Sequence, residues 1–260
     1  MKSTDQLGNI IEFDQTPESV VSLVPSITEL LCDMGLRSKI VGCTKFCVHP
    51  KNLKKEVTII GGTKRIHLDH VARLTPDIII GNKEENSKED ITKLREIGPI
   101  WMSDIKTIED SYDMINSLAD IMDTSLVADQ IIWDHKAICS HNDKELGTVA
   151  YLIWNDPLMT IGGDTYIHSM LQMMGYDNVY SSANRYPKIT LEELQSKAPQ
   201  HIFLSSEPFP FKLKHVESLQ DQLNHSSIHL VDGEFFSWYG SRLIKCSKYP
   251  QQLLDQIQGH

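Results

Sequence analysis

The chain has 260 residues, 40% of them hydrophobic, which is enough apolar material for two compact lobes or one large α/β domain and excludes a disordered chain. Its 35 acidic residues against 25 basic ones give a formal charge of −10 and argue against nucleic-acid binding, because neutralising phosphates needs clustered Lys and Arg. Five cysteines, at 32, 43, 47, 139 and 246, are too few for a dense disulfide scaffold, so reduced thiols are the default reading. Cys43 and Cys47 in "CTKFC" stay open to pairing or to a metal, although the spacing is not a usual zinc pair.

The first 21 residues contain no apolar signal core, and no later stretch approaches the ~18 apolar residues of a membrane span. A chain starting at this Met1 is therefore expected in the cytoplasm. Short β-rich runs follow: "SVVSLV" (19–24), "KIVGC" (39–43), "DIIIG" (77–81) and "PIWMS" (99–103), each followed by a helical pattern. Ser26 and Glu29 in "SITE" predict a capping box at the first helix, and Gly35 predicts its stop. Pro76 should end the helix "DHVARLT" and turn the chain into the next strand.

From Thr107 to about His141 the apolar spacing is helical, with a break expected in "MDTS" (122–125). The second of these helices, roughly 16 residues, would be about 24 Å long and could join two lobes. The strand theme then returns in "TVAYLIW" (148–154), "HIFLS" (201–205) and "IHLVD" (228–232). Continuous apolar runs alternating with helices read as parallel strands covered on both faces. The expected fold is α/β: two related lobes with parallel-sheet cores joined by a long backbone helix. Its boundaries are an N-terminal lobe at 1–106, a helical linker at 107–147 and a C-terminal lobe at 148–260.

The lobes are related through an internal repeat. "IHLDHVARLTPDIIIGNKEEN" (66–86) aligns without a gap to "ITLEELQSKAPQHIFLSSEPF" (189–209) at an offset of 123, placing Pro76 on Pro199 and Glu84 on Glu207. "SITELLCDMGLRSKIVG" (26–42) resembles "YIHSMLQMMGYDNVYSS" (166–182) at an offset of 140. Ligands of open parallel sheets sit beyond the carboxyl ends of the strands, where Glu84 and Glu207 both lie, with Glu85 as an acidic neighbour. Pro208 and Pro210 are expected to stiffen the loop that aims the Glu207 carboxylate.

"VVSLVPSITELLCDMGLRSKIVGCTKFCVHP", the repeat segments, "YLIWNDPLMTIGGDTYIHSMLQMMGYDNVY" and "VDGEFFSWYGSRL" together resemble the cobalamin- and ferric-siderophore-binding receptors of ABC importers, the helical-backbone class of periplasmic binding proteins. The resemblance spans nearly the whole chain. It implies a receptor outside the cytoplasmic membrane, in the periplasm or at the membrane surface, holding a small metal chelate such as cobalamin, a ferric siderophore or haem between its lobes. It also implies no covalent cofactor, a monomer, and docking of Glu84, Glu85 and Glu207 onto an ABC permease dimer. Pro25 and Ser26 match ligand-contacting positions, with Lys45, Phe46 and His49 on the next strand-end loop.

A large flat chelate needs aromatic walls and a few fixed polar groups. "EFFSWYGSR" offers Trp238, Tyr239 and Arg242, and Trp154 and Tyr186 follow the strand-end pattern in the second lobe. Phe235 and Phe236 read as core, whereas Trp238 and Tyr239, between Ser237 and Gly240, are expected to stay less buried. Arg242 fits either a structural salt bridge or an anionic ligand edge. His49, His67, His70 and His168 read as surface or core histidines, "GGD" (162–164) as tight backbone geometry, and no metal site is expected. No catalytic set is visible: a nucleophile elbow is absent, and no acid and histidine pair demands an enzyme. A cytoplasmic corrinoid, haem or siderophore carrier, or a chelatase-like enzyme on the same scaffold, is the alternative.

Overall fold

A computed structural model describes residues 1–139 and 145–259. A short antiparallel hairpin, β1 (Lys2–Thr4) and β2 (Ile10–Glu12), opens the chain. The following elements are β3 (Val20–Ser22), β4 (Ile40–Cys43), β5 (Thr58–Ile59), the two-residue hairpin strands β6 (Gly61–Gly62) and β7 (Arg65–Ile66), β8 (Ile78–Asn82) and β9 (Ile100–Ser103). Five of these strands form one sheet in the order β5-β4-β3-β8-β9, and every pairing in it is parallel. Val20, Val21, Ile78, Ile79 and Ile80 are completely buried, as parallel strands covered on both faces must be.

The second sheet is built from β10 (Gly147–Asn155), β11 (Leu158–Thr160), β12 (Tyr176–Asn178), β13 (His201–Ser205) and β14 (Ser227–Val231). Here β10, β13 and β14 pair in parallel, β12 runs parallel to the start of β10, and β11 folds back antiparallel on its end. Ala150, Leu152, Ile202 and Leu204 anchor its core with Leu194, Phe211 and Leu223. Phe203 is completely buried, with Tyr176 and Phe236 edge-on or tilted against it at 5.0 and 6.1 Å between ring centroids.

The repeat is accurate to the residue where the alignment has no gap. Helix Leu68–Leu74 and strand β8 fall, at an offset of 123, on helix Leu191–Lys197 and strand β13. Both helices end in a left-handed residue, Thr75 (φ 42°) and Ala198 (φ 44°), directly before the equivalent Pro76 and Pro199. Helix Pro25–Asp33 likewise corresponds to Tyr166–Met173, each followed by a glycine at positive φ, Gly35 and Gly175, which a side chain would strain. Pairing to β8 and β13 sets Val20 on Val149, an offset of 129, while the following helices stand 140 apart. The 11 extra residues are the β10–β11 hairpin, an insertion in the second copy.

The expected capping box at Ser26 is absent. Pro25 occupies the first helical position, Val24 is the N-cap without a side-chain bond, and Ser26 and Glu29 are buried inside the helix. Proline there lacks only an N–H the helix does not use. A capping box is instead formed by Thr190 and Glu193: the Thr190 hydroxyl accepts the Glu193 N–H (3.2 Å), and the Glu193 carboxylate accepts the Thr190 N–H (2.8 Å).

The two long middle helices are Ile108–Met122 and Ser125–Cys139, broken at Asp123 (φ 55°) and Thr124; the expected stretch as far as His141 runs outside the described residues. The chain divides into two compact units along lines that differ from the sequence boundaries. One unit comprises Met1–Ile105, Glu109–Asp134 and Tyr239–Arg242; the other comprises Lys106–Ile108, His135–Trp238 and Leu243–His260. The second middle helix thus passes from one unit to the other at Asp134, and four residues read as C-terminal lobe belong to the first unit. No helix among the described residues is long and apolar enough to cross a membrane.

Replacing Thr190 by Ala removes one half of the reciprocal cap and should cost about 1 kcal/mol of stability, read as a lower urea midpoint at unchanged slope. A Thr190→Ala protein as stable as the parent would show that the cap contributes nothing.

Candidate functional site

In the first unit, every candidate lies where a strand ends or a helix begins. Pro25 and Ser26 start the helix after β3; Pro25 is half-buried and Ser26 buried, facing the Tyr239 hydroxyl. Burial pushes the Tyr239 phenol well above its ordinary pKa, so it stays protonated. After β4, Lys45 and Phe46 are exposed and His49 is half-buried. The Lys45 ammonium stands 5.0 Å from the Phe46 ring centre, a cation–π pair that keeps the ring upright. Phe46 packs so closely on Gly62 that a Cβ there would come within 3.1 Å of the ring.

Beyond β8, the loop carrying Glu84 and Glu85 is held by two asparagines that the sequence reading did not single out. Asn82 Oδ1 accepts the N–H groups of Glu84 (2.8 Å) and Glu85 (3.0 Å) while its amide donates to Ser103 Oγ (3.0 Å). Asn86 Oδ1 accepts the Asn82 N–H, and its amide donates to the Leu23 and Thr63 carbonyls. Lys64 Nζ donates to the Glu84 carbonyl. Glu84 is half-buried and Glu85 exposed.

In the second unit the position equivalent to Asn82 is Ser205, the last residue of β13, and it does the same work. Its hydroxyl donates to the Glu207 carbonyl, faces the Glu207 N–H at 3.4 Å and accepts from Tyr151 Oη at 3.0 Å. The Glu207 carboxylate is itself held: Oε1 accepts from Ser237 Oγ (2.8 Å) and Trp238 Nε1 (2.9 Å). Its direction is therefore set by these two donors, a cause beyond the flanking prolines. The signal for this pair of strand-end anchors was in the repeat, as a polar residue closing an apolar strand at both aligned positions.

Trp238 and Tyr239 depart from the expected exposure: both are buried, as is Arg242. Trp238 is fixed by Glu207. Arg242 takes the structural one of its two readings, with Nη2 2.8 Å from Glu29 Oε2 and both side chains under a tenth exposed. Its neighbours strengthen the attachment, as Ser241 Oγ donates to Asp33 and the Gly240 N–H donates to Ser111 Oγ at 3.2 Å. Phe235 and Phe236 are core, as expected.

Trp154 is 39% exposed, donates from Nε1 to the Asp156 carbonyl (3.0 Å) and meets Phe209 edge-on at 5.6 Å. Tyr186 is half-buried, with the Arg185 guanidinium 5.8 Å from its ring centre. "GGD" is tight backbone: a Cβ on Gly162 or Gly163 would overlap the Ala183 or Ser181 carbonyl oxygen. Among the described residues no group of three or more His, Cys, Asp or Glu side chains could hold a metal ion. Those histidines are placed accordingly: His70 Nδ1 is 3.0 Å from the Ile59 carbonyl, and His168 Nδ1 is 3.4 Å from the Asn178 amide.

Duplicated parallel sheets, linked by a long helix and carrying an anchored glutamate at one equivalent position in each copy, match a known family. The family description "Periplasmic binding protein" fits residues 20–224. The chain belongs to the periplasmic binding protein family. A vitamin B12-binding protein of Vibrio vulnificus is 26% identical over 195 residues, spanning 72% of this chain and 71% of the relative. An uncharacterised ABC transporter substrate-binding lipoprotein of Bacillus subtilis is 23% identical over 259 residues, spanning 93% and 81%. Among solved structures, a periplasmic haem-binding protein from Pseudomonas aeruginosa superposes with a TM-score of 0.77 at 18% identity, covering 91% of this chain and 92% of the other. By family the chain is a solute-binding protein, and the relatives it matches are named as binding proteins.

Replacing Arg242 by Ala strands the Glu29 carboxylate in the interior. We expect a loss of roughly 3–5 kcal/mol, with a fall in Tm that a Glu29→Ala, Arg242→Ala double variant partly recovers. Equal losses in the single and double variants would show that the pairing itself carries no energy.

Proposed function

We propose that this protein captures a metal chelate, cobalamin or another flat tetrapyrrole or ferric siderophore, outside the cytoplasmic membrane and presents it to the permease dimer of an ABC importer. The observation that carries the reading is the equivalence of Glu84 and Glu207. Each stands two residues beyond a homologous strand, on a loop whose backbone is pinned by that strand's last side chain, Asn82 or Ser205. Random surface acids have no reason to share a repeat position and an anchoring device. Two carboxylates on anchored loops, one per unit and with Glu85 beside the first, suit a partner that presents paired arginines, which bind carboxylates through two parallel hydrogen bonds.

The ligand side of the proposal rests on aromatic surface. Phe46 and Trp154 are both large, exposed and held by a neighbouring contact, and Tyr186 is half-buried beside Arg185. Exposed rings fixed in place suit the face of a flat chelate, while Lys45, His49 and the start of the Pro25 helix supply polar edges. Vitamin B12 and haem, named for relatives and structural neighbours, are both chelates of this shape. The chelate would be held without covalent attachment by a monomer, at the periplasmic or membrane-surface location of the relatives.

Adding cobalamin, haem or a ferric siderophore should give a saturable quench of tryptophan fluorescence, and Trp154→Ala should raise the chelate concentration needed for half of it, because the exposed Trp154 ring is held against Phe209. No saturable quench from any chelate of the panel would count against the ligand reading. For docking, Glu84→Gln with Glu207→Gln keeps an acceptor for Ser237 and Trp238 while removing both charges. The expected result is unchanged chelate affinity and at least a tenfold loss of permease ATPase stimulation. Full stimulation by this double variant would refute the docking assignment and favour a carrier without a transporter.

A further inference from the structure

Cys43 and Cys47 take no part in the site described above, yet both are buried and lie four positions apart in the first unit. Cys43 is the last residue of β4, and Cys47 follows a tight turn closed by the Cys47 N–H on the Thr44 carbonyl (3.1 Å). Both side chains are completely buried, and the two thiols hydrogen-bond each other. Cys47 Sγ also lies 3.1 Å from Thr28 Oγ1 and 3.3 Å from Thr44 Oγ1. The only residues between the cysteines are Thr44, Lys45 and Phe46, and the last two are exposed.

We infer that Cys43 and Cys47 are a disulfide-forming pair that closes the turn presenting Lys45 and Phe46. A disulfide needs α-carbons within about 7 Å and side chains aimed at each other. The two buried thiols interact from the ends of a turn with three residues between them, which places the sulfurs side by side for bond formation. The surroundings favour the reacting form. The Cys43 thiol, then the Thr28 and Thr44 hydroxyls, draw the Cys47 pKa down to about 7, while the same Cys47 contact and burial push Cys43 up. Relatives of this chain work in the periplasm or at the membrane surface, where disulfides form and persist.

The step balances with a disulfide oxidant such as oxidised glutathione. The Cys47 thiolate attacks one oxidant sulfur, forming a mixed disulfide and releasing one thiolate. Cys43 then gives up its proton and attacks Cys47 Sγ, and the second thiolate leaves. Two electrons pass from the protein thiols to the oxidant's sulfur–sulfur bond, and the two protons end on the released thiols. Because both sulfurs are shielded in the native fold, exchange belongs to folding or to openings of the turn. The inference does not depend on which chelate is bound or on whether a permease is met.

The test uses the full chain, with Cys32→Ser, Cys139→Ser and Cys246→Ser leaving only the pair. The protein is refolded with oxidised and reduced glutathione, quenched in acid, unfolded, alkylated and weighed. Loss of both alkylation sites with a mass lower by two hydrogens is expected. Trypsin cutting after Lys45 should then leave two peptides joined until a reductant is added. If the triple variant does not refold, the same joined peptides are sought in the parent chain. Two alkylated thiols, stable glutathione adducts, or linkage of Cys43 or Cys47 to any other cysteine would overturn the inference.

Discussion

Parallel strands buried on both faces impose one constraint from which most of this structure follows. Each strand must be re-entered through a crossover, so in each sheet all parallel strands point the same way and their carboxyl ends share one edge. In the first unit that edge carries the start of the Pro25 helix, the turn with Lys45 and Phe46, and the loop with Glu84. In the second it carries Trp154 and Glu207. Core residues such as Ile79 and Phe203 are chosen for apolar volume, which leaves chemistry to the few positions just past each strand. The last position of the strand before each loop is polar in both copies, Asn82 and Ser205, because something must satisfy the backbone as it leaves the ladder.

Much of this was legible because the signals were local and periodic. The seven apolar runs became strands, and Pro76 and Pro199 followed the ends of their helices. An ungapped alignment of 21 residues set two helices and two strands in the register that the structure shows. The return strand of the β10–β11 hairpin, Leu158–Thr160 beyond the turn at Asp156 and Pro157, is only three residues long and too short to show a period. Two-residue strands such as β5 to β7 fall below any periodicity.

The misread residues share a physical cause. Ser26 followed by Glu29 satisfies the capping pattern, but Pro25 takes the first helical position and shifts the boundary by two residues. Trp238 and Tyr239 lie in a turn-like sequence, and turns are usually exposed. Their burial depends on partners more than a hundred residues away, Ser26 and Ser103 for Tyr239, and on Glu207 thirty-one positions back for Trp238. Arg242 was undecided for the same reason: Glu29, its partner, is 213 positions earlier in the chain. Local pattern carries no trace of such pairings.

The placement of Tyr239–Arg242 in the first unit bears on how the protein is made. Glu29 and Asp33, one helical turn apart on the Pro25 helix, wait for Arg242 and Ser241, which emerge nearly last from the ribosome. Until then the first unit lacks the guanidinium that faces the Glu29 carboxylate. Vectorial synthesis therefore cannot finish this unit before the second has been almost entirely made.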